Sequence, residues 1–105
     1  MNVKALRGTT DLYSPEVVKW QGIEETARDL FRRFGFQEIR TPILEESQLF
    51  TRSVGDQTEI VQKQMVTFLD RGERQVALRP EGTAPVVRAY VERHLDQRPG
   101  IARLF

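Results

Sequence analysis

The 105-residue sequence contains no cysteine and only one histidine, His94. The first absence excludes disulfide bonds, thiolate catalysis and cysteine-ligated metals, and a single imidazole cannot form a zinc site alone. Sixteen basic and fifteen acidic residues leave a formal charge of +1, which gives no bulk attraction to nucleic acid or anionic lipid. No apolar run reaches the length of a membrane span or signal-peptide core. These absences favour a cytoplasmic globular domain with no membrane partner and no metal site.

Familiar catalytic and phosphate-binding motifs are also missing. His94 has no serine or aspartate at the spacing of a nucleophilic triad, and it lies near the end of a predicted helix, where the dipole favours a solvated imidazolium. No two glycines have the spacing of a P-loop or of a dinucleotide-binding turn. The remaining candidate chemistry is that of Glu81 and Thr83.

The first long helix is predicted over residues 15–34. Ser14 is the predicted N-cap, Pro15 suits the first helical position, and Gly35 is expected to end the helix in the left-handed conformation. Apolar residues at spacings of three and four predict one continuous stripe along it, formed by Trp20, Ile23, Ala27, Leu30, Phe31 and Phe34.

The rest of the chain is rich in short strand-forming stretches. Residues 36–40 predict a strand that Pro42 closes, because proline cannot donate to a ladder. Residues 45–50 predict a short helix with Leu49 and Phe50 facing inward. Residues 65–70 and 75–79, joined by a four-residue link, predict an antiparallel hairpin. The polar residues 51–64 are either a surface loop with a helical turn from Thr58 or a segment that orders over a ligand.

The central feature is a change of period after residue 79. A strand ends before Pro80, and a helix is predicted over residues 84–95, with Thr83 as its N-cap and a buried stripe of Val87, Val91 and Leu95. Glu81 and Thr83 thus lie at a strand-to-helix junction, where the helix start leaves backbone N–H groups free.

Two interpretations of this junction remain open. A carboxylate withdrawn from water needs a cation or several donors, and a substrate ammonium would satisfy Glu81 while donating a further bond to Thr83. Alternatively, Glu81 is ion-paired with Arg79 or Arg88, and Gly82 and Thr83 are only a turn and a cap.

Several blocks of sequence resemble one family. Leu78-Arg79-Pro80-Glu81-Gly82-Thr83-Ala84 resembles a signature of bacterial histidyl-tRNA synthetases. Similar blocks occur in the same order elsewhere: Arg7-Gly8-Thr9 with Asp11, residues 34–43, Leu49-Phe50, residues 52–55 and residues 65–70. Residues 34–44 are similar to motif 1 of class II synthetases, the helix–strand–proline element of their dimer interface. Gln57, Gln64 and Val66 depart from the residues common in that family.

The resemblance implies an α+β fold in which helices flank an antiparallel sheet. Residues 1–105 would be a single partial domain, the N-terminal part of a class II catalytic core that stops as motif 2 begins. The implied activity is ATP-dependent formation of histidyl-adenylate and transfer of the histidyl group to tRNA(His), by a homodimer that uses ATP and Mg²⁺. This partial domain is expected to be inactive alone and to hold no tightly bound cofactor.

The resemblance also assigns roles to residues. Glu81 and Thr83 would bind the α-amino group of histidine, Arg79, Pro80 and Gly82 would shape that pocket, and the dimer interface would include Phe36, Ile39 and Pro42. Two other functions are considered. One is the synthetase-like regulatory subunit of ATP phosphoribosyltransferase, which the triplet Glu81-Gly82-Thr83 argues against. The other is a dimerisation module in which Glu81 is only structural.

Overall fold

The computed structural model describes residues 2–54 and 65–105, which form two compact units. The first is Met1–Gln37 with Phe105, and the second is Glu38–Leu104. The helical turn expected from Thr58, and with it most of the predicted loop or ligand-covering segment 51–64, lies outside the described residues. Gln57 and Gln64 lie there too.

The first unit is built on one helix, α1, which spans Glu16–Arg33 and so confirms the predicted helix. Its N-cap position is Pro15, with no side-chain cap bond, so the predicted Ser14 cap is wrong. Ser14 lies one residue before the N-cap position. Pro15, which occupies that position, has no side-chain oxygen that could accept a capping bond. An ion pair at i,i+4 spacing forms on the exposed surface between Asp29 and Arg33, at 2.9 Å.

The end of α1 follows the prediction closely. Gly35 has φ +78°, and its N–H donates to the Arg32 carbonyl at 3.1 Å. The Phe36 N–H donates to the Phe31 carbonyl at 2.9 Å, which completes a Schellman motif. The Phe31 ring lies 5.4 Å from that of Phe36 and stacks at 4.7 Å on Phe105. These rings fix the path of the chain as it leaves the helix.

The apolar stripe of α1 is only partly covered in this unit. Ala27 and Phe31 are half-buried. Trp20, Ile23, Leu30 and Phe34 remain between 48% and 67% exposed.

The described residues of the second unit form a three-stranded antiparallel sheet and two helices. Its elements are β1 (Leu44–Glu46), α2 (Ser47–Val54), β2 (Thr67–Leu69), β3 (Gln75–Leu78), α3 (Thr83–Glu92) and a 3₁₀ turn, Leu95–Gln97. The strand order is β1-β3-β2, with Glu45 opposite Ala77 and Phe68 opposite Val76. The α+β fold and the hairpin are therefore confirmed.

Two predictions for residues 36–50 are wrong. Among the described residues, positions 36–40 form no regular strand; Gln37 makes an isolated bridge in which its carbonyl accepts a bond from the Phe105 N–H at 3.0 Å. The helix predicted from residue 45 starts at Ser47, since Glu45 and Glu46 pair with β3 instead. The strand of this region lies after Pro42, not before it.

The hairpin turn between β2 and β3 is organised by Asp70. Its carboxylate accepts bonds from the Gly72 N–H, the Arg74 N–H and the Arg74 Nε, each at 2.9 Å. The bond from the Arg74 backbone contributes most to lowering the pKa of Asp70. The charged carboxylate therefore takes part in closing the turn.

The core of the second unit is small. Phe50, Ala77 and Ala84 form one buried cluster, and Phe50 is fully buried as predicted. The inward residues of α3 are Ala84, Pro85 and Ala89, whereas Val87 and Val91 are 54% and 62% exposed. The predicted buried stripe is therefore wrong for both valines. Arg88 of the same helix donates to the buried Glu45, and the two valines line a surface cleft.

Candidate functional site

The junction between β3 and α3 is held by the side chain of Glu81. Its Oε2 accepts a bond from the Thr83 N–H at 2.6 Å, and its Oε1 accepts one from the Ala84 N–H at 3.0 Å. These are two of the N–H groups that a helix start leaves unpaired, and a negative charge there is favoured by the helix dipole. Glu81 is thus the cap of α3.

The predicted cap, Thr83, is the first helical residue, and Gly82 occupies the N-cap position. Glycine has no side-chain acceptor, so the carboxylate of the preceding residue reaches over it. Thr83 therefore supplies the N–H group that is capped. A side chain built at Gly82 would meet nothing within 4 Å, so the space over the turn is open.

The interpretation that pairs Glu81 with a neighbouring arginine is wrong, because both arginines have other partners. The Arg79 Nη1 donates to the carbonyl and to the hydroxyl of Thr41, each at 3.0 Å. Arg88 binds Glu45 and Glu92. Arg79 also donates its backbone N–H to the Ile43 carbonyl at 2.9 Å. The two sides of the turn are tied to residues 41–45, and Glu81 binds backbone alone in the contacts described.

The chemistry left to Glu81 follows from its bonding capacity. An ionised carboxylate offers about four lone-pair directions, of which the helix start uses two. The residue is only half-buried. Such a carboxylate, already fixed in direction, can accept N–H bonds from an ammonium group. Pro80, which precedes it, is half-buried and ends the strand.

A separate cleft lies between α2 and α3, with a volume of about 840 Å³. Its lining residues are Pro42, Glu45, Glu46, Gln48, Leu49, Arg52, Val87, Arg88, Val91 and Glu92. Glu81 and Thr83 are not among them. The structure therefore keeps the predicted amino-group ligands together at the helix start but outside the concave surface.

An ion pair that the sequence did not predict lies at this cleft. Glu45 is 9% exposed, and its Oε1 accepts bonds from the Arg88 Nε at 3.0 Å and Nη2 at 2.8 Å. The Arg88 Nη1 donates to Glu92 at 2.6 Å. The hydrogen bonds that Arg88 donates to Glu45 raise the pKa of its guanidinium. Glu45 and Arg88 are 43 positions apart, so no local pattern in a single sequence links them.

The residues predicted for a subunit interface differ in exposure. Phe36 and Ile39 are half-buried, whereas Pro42 is exposed and borders the cleft. Arg7 and Asp11 are exposed, and Gly8 between them has φ +88° in a turn. Across residues 2–54 and 65–105, no helix is long and apolar enough to cross a membrane.

Comparison with known proteins gives a consistent result. Residues 8–105 match the family model described as histidyl-tRNA synthetase. The chain is 52% identical over 103 residues to a histidine–tRNA ligase of Solibacter usitatus, covering 98% of this chain and 25% of that protein. It is 61% identical over 93 residues to the same ligase of Geobacillus thermodenitrificans, covering 89% and 22%. The chain thus spans about a quarter of the length of the curated relatives it matches.

Solved structures give the same picture. The fold matches apo histidyl-tRNA synthetase of S. aureus with a TM-score of 0.81 and 39% identity, over 94% of this chain and 23% of that one. It also matches a Bacillus halodurans protein described as an ATP phosphoribosyltransferase regulatory subunit/histidyl-tRNA synthetase. That match has a TM-score of 0.78 and 24% identity, over 99% and 26% of the two chains, and shows likeness of fold alone.

Proposed function

The chain belongs to the histidyl-tRNA synthetase family, and from this we propose that it forms the N-terminal quarter of a histidine–tRNA ligase. The ligase would activate histidine with ATP to histidyl-adenylate and then transfer the histidyl group to tRNA(His). We propose a class II enzyme that acts in the cytoplasm as a homodimer, with Phe36, Ile39 and Pro42 at its interface. The coverage of the relatives supports this assignment, since 98% of the chain aligns with 25% of a complete ligase.

The observation that carries the proposal is the orientation of the Glu81 carboxylate. Two backbone N–H groups fix it at the start of α3 and leave lone pairs for a ligand. The α-ammonium of histidine supplies the positive charge that a half-buried carboxylate requires. Thr83, whose N–H binds the same carboxylate, would add its hydroxyl as a second acceptor. This proposed role of Glu81 and Thr83 rests on that geometry together with the family resemblance.

The described residues supply only part of the chemistry. Adenylate formation needs charge neutralisation at the phosphates of ATP, by cationic side chains and Mg²⁺. Among residues 2–54 and 65–105, no group of three His, Asp or Glu side chains could hold a metal ion. This part of the chain therefore does not fit a Mg²⁺ site. We propose that it binds the amino group and that the isolated chain is inactive.

The alternative from the same fold is a regulatory subunit of ATP phosphoribosyltransferase. The solved structure described in those terms is 24% identical, against 39% for the S. aureus synthetase. A dimerisation module is the third possibility. Histidine-dependent chemistry separates the ligase from both, because neither of the others forms an adenylate.

The test is pyrophosphate exchange by a full-length ligase that contains this chain. We expect Glu81→Ala to lower kcat/KM for histidine about 100-fold, or about 2.8 kcal/mol, the scale of removing one partner of a hydrogen-bonded charge pair. The KM for ATP should change little, because Glu81 would bind only the amino acid. The matched control is Glu24→Ala, which removes an exposed carboxylate from α1. An unchanged KM and kcat for histidine in Glu81→Ala would contradict the proposed role.

A further inference from the structure

The Glu45–Arg88 ion pair is the best candidate for a function beyond stability. Glu45 is almost fully buried, and two N–H groups of Arg88 converge on one of its oxygens. Burying charged groups costs several kcal/mol of desolvation before their attraction is counted, and apolar residues of the same volume often stabilise as well. Stability alone therefore does not account for placing this pair here.

The fully covered residues of α3 have small side chains, and Val86 and Tyr90 are only half-buried. Ala84, Pro85 and Ala89 are its buried residues, and Ala84 joins Phe50 and Ala77 in the core cluster. Alanine and proline have few side-chain atoms for van der Waals contacts, and they form no ridge that interlocks with a groove. Close packing of such residues leaves the rotation of a helix about its axis poorly determined. The directed bonds of Arg88 determine it.

Both ends of the pair are connected to Glu81, Arg88 through α3 and Glu45 through its sheet partner Ala77. Arg88 is four residues after Ala84 and therefore on the same helix face, and the Ala84 N–H holds the Glu81 Oε1. Glu45 lies opposite Ala77 in the sheet. Ala77 in turn precedes Glu81 by four residues along the chain. A rotation of α3 about its axis would move the Thr83 and Ala84 N–H groups relative to the end of β3.

We infer that Arg88, held by Glu45, is a positioning residue for the amino-acid site: it sets the rotation of α3 and thereby aims the Glu81 carboxylate at the ammonium of the substrate. The identity of that substrate rests on the proposed function. The aiming of the carboxylate rests only on the contacts given above.

The test uses variants of a full-length ligase that contains this chain. The double variant Glu45→Leu/Arg88→Met replaces the pair with apolar side chains of similar volume and leaves no unpaired buried charge. Arg88→Lys keeps the charge but loses the two converging N–H groups. We expect both proteins to fold, as judged by circular dichroism. The histidine KM should rise about 10-fold in the double variant and less in Arg88→Lys, with an unchanged KM for ATP.

A second readout needs no activity. Hydrogen exchange of the Thr83 and Ala84 amides, followed by mass spectrometry of the peptide that contains them, should be faster in the double variant. Arg33→Met is the control, because it removes an exposed arginine–carboxylate pair from α1. It should change neither the histidine KM nor the exchange of this peptide.

The possible outcomes are distinct. A folded double variant with the histidine KM and amide exchange of the wild type would overturn the inference. Loss of fold in both variants would also overturn it, because the pair would then serve the domain as a whole. If the wild-type enzyme shows no histidine-dependent exchange, the proposed function fails, and the amide readout still decides whether Arg88 orients the turn.

Discussion

Replacing Glu81 with alanine removes both acceptors at the start of α3, and we expect a measurable loss of stability in the absence of ligand. The Thr83 and Ala84 N–H groups lose bonds of 2.6 and 3.0 Å to a charged group. Substitution of a helix cap costs about 0.5–2 kcal/mol, and loss of a carboxylate at the positive end of the dipole adds about 0.3–1 kcal/mol. Because Glu81 is half-buried, we expect a total of about 2 kcal/mol.

Urea unfolding of the 105-residue chain, followed by circular dichroism, measures this difference. For a domain of this size, about 2 kcal/mol also lowers Tm by roughly 10 °C. Thr83→Ala is the matched comparison. Since Thr83 is the first helical residue and alanine is the better helix former, its free energy of unfolding should stay within about 0.5 kcal/mol of wild type.

The opposite ranking would refute this reasoning. If Thr83→Ala cost about 1 kcal/mol or more and Glu81→Ala cost nothing, the threonine hydroxyl would be the cap, as the sequence pattern predicts. A Glu81→Ala variant with wild-type stability and lost histidine binding would show that the carboxylate does not need its backbone bonds for recognition.

Three further predictions concern turns and helices. Gly35 has φ +78°, so Gly35→Ala should cost about 1 kcal/mol. Gly22 lies inside α1, and a Cβ added there would meet nothing within 4 Å. Gly22→Ala should therefore raise the free energy of unfolding by about 1 kcal/mol in the same assay. Equal effects of the two substitutions would contradict the structure. The pKa of Asp70 is lowered in the folded chain. Its carboxylate therefore stabilises the hairpin fully at pH values above the unfolded pKa of about 3.9. This stabilisation is lost as the pH falls through the folded pKa. The difference in stability between wild type and Asp70→Asn should therefore shrink below about pH 4, and a difference independent of pH would exclude this role.

Signals that are local in sequence predicted local structure well. The periodicity of α1, the left-handed Gly35 and the hairpin after Asp70 each depend on residues within a few positions of one another. Their partners lie within the same window of sequence, so propensity and spacing are sufficient to predict them. The position of the inward Phe50 followed from the same kind of pattern.

Features that depend on distant partners were predicted poorly. Residues 36–40 have strand-forming side chains but no ladder in the described chain, whereas Glu45 and Glu46 pair with β3 despite their charge. On α3, the apolar period suggested buried valines. In the structure the alanine face is buried instead, and Arg88 on the same helix binds Glu45. Pairing and long-range ion pairs are tertiary properties, and they override local preference.

The candidate site shows both behaviours. The sequence identified Glu81 and Thr83 correctly as neighbours at a strand-to-helix junction, because chain connectivity places them there. The sequence pattern predicted Thr83 as the cap of α3, whereas Glu81 caps it. The prediction failed because Ser, Thr, Asp and Asn dominate at N-caps, and a glutamate that reaches past a glycine is less common.

The order β1-β3-β2 has a practical consequence for handling the 105-residue chain. In the described part of the molecule, the outer side of β2 has no neighbouring strand, and Phe68 and Leu69 on it are 44% and 66% exposed. An open, apolar strand edge is a template on which other chains add and from which aggregates grow. Solubility at the concentrations used for calorimetry or spectroscopy will therefore depend on masking that edge, for example with a lysine at position 68 that repels incoming strands.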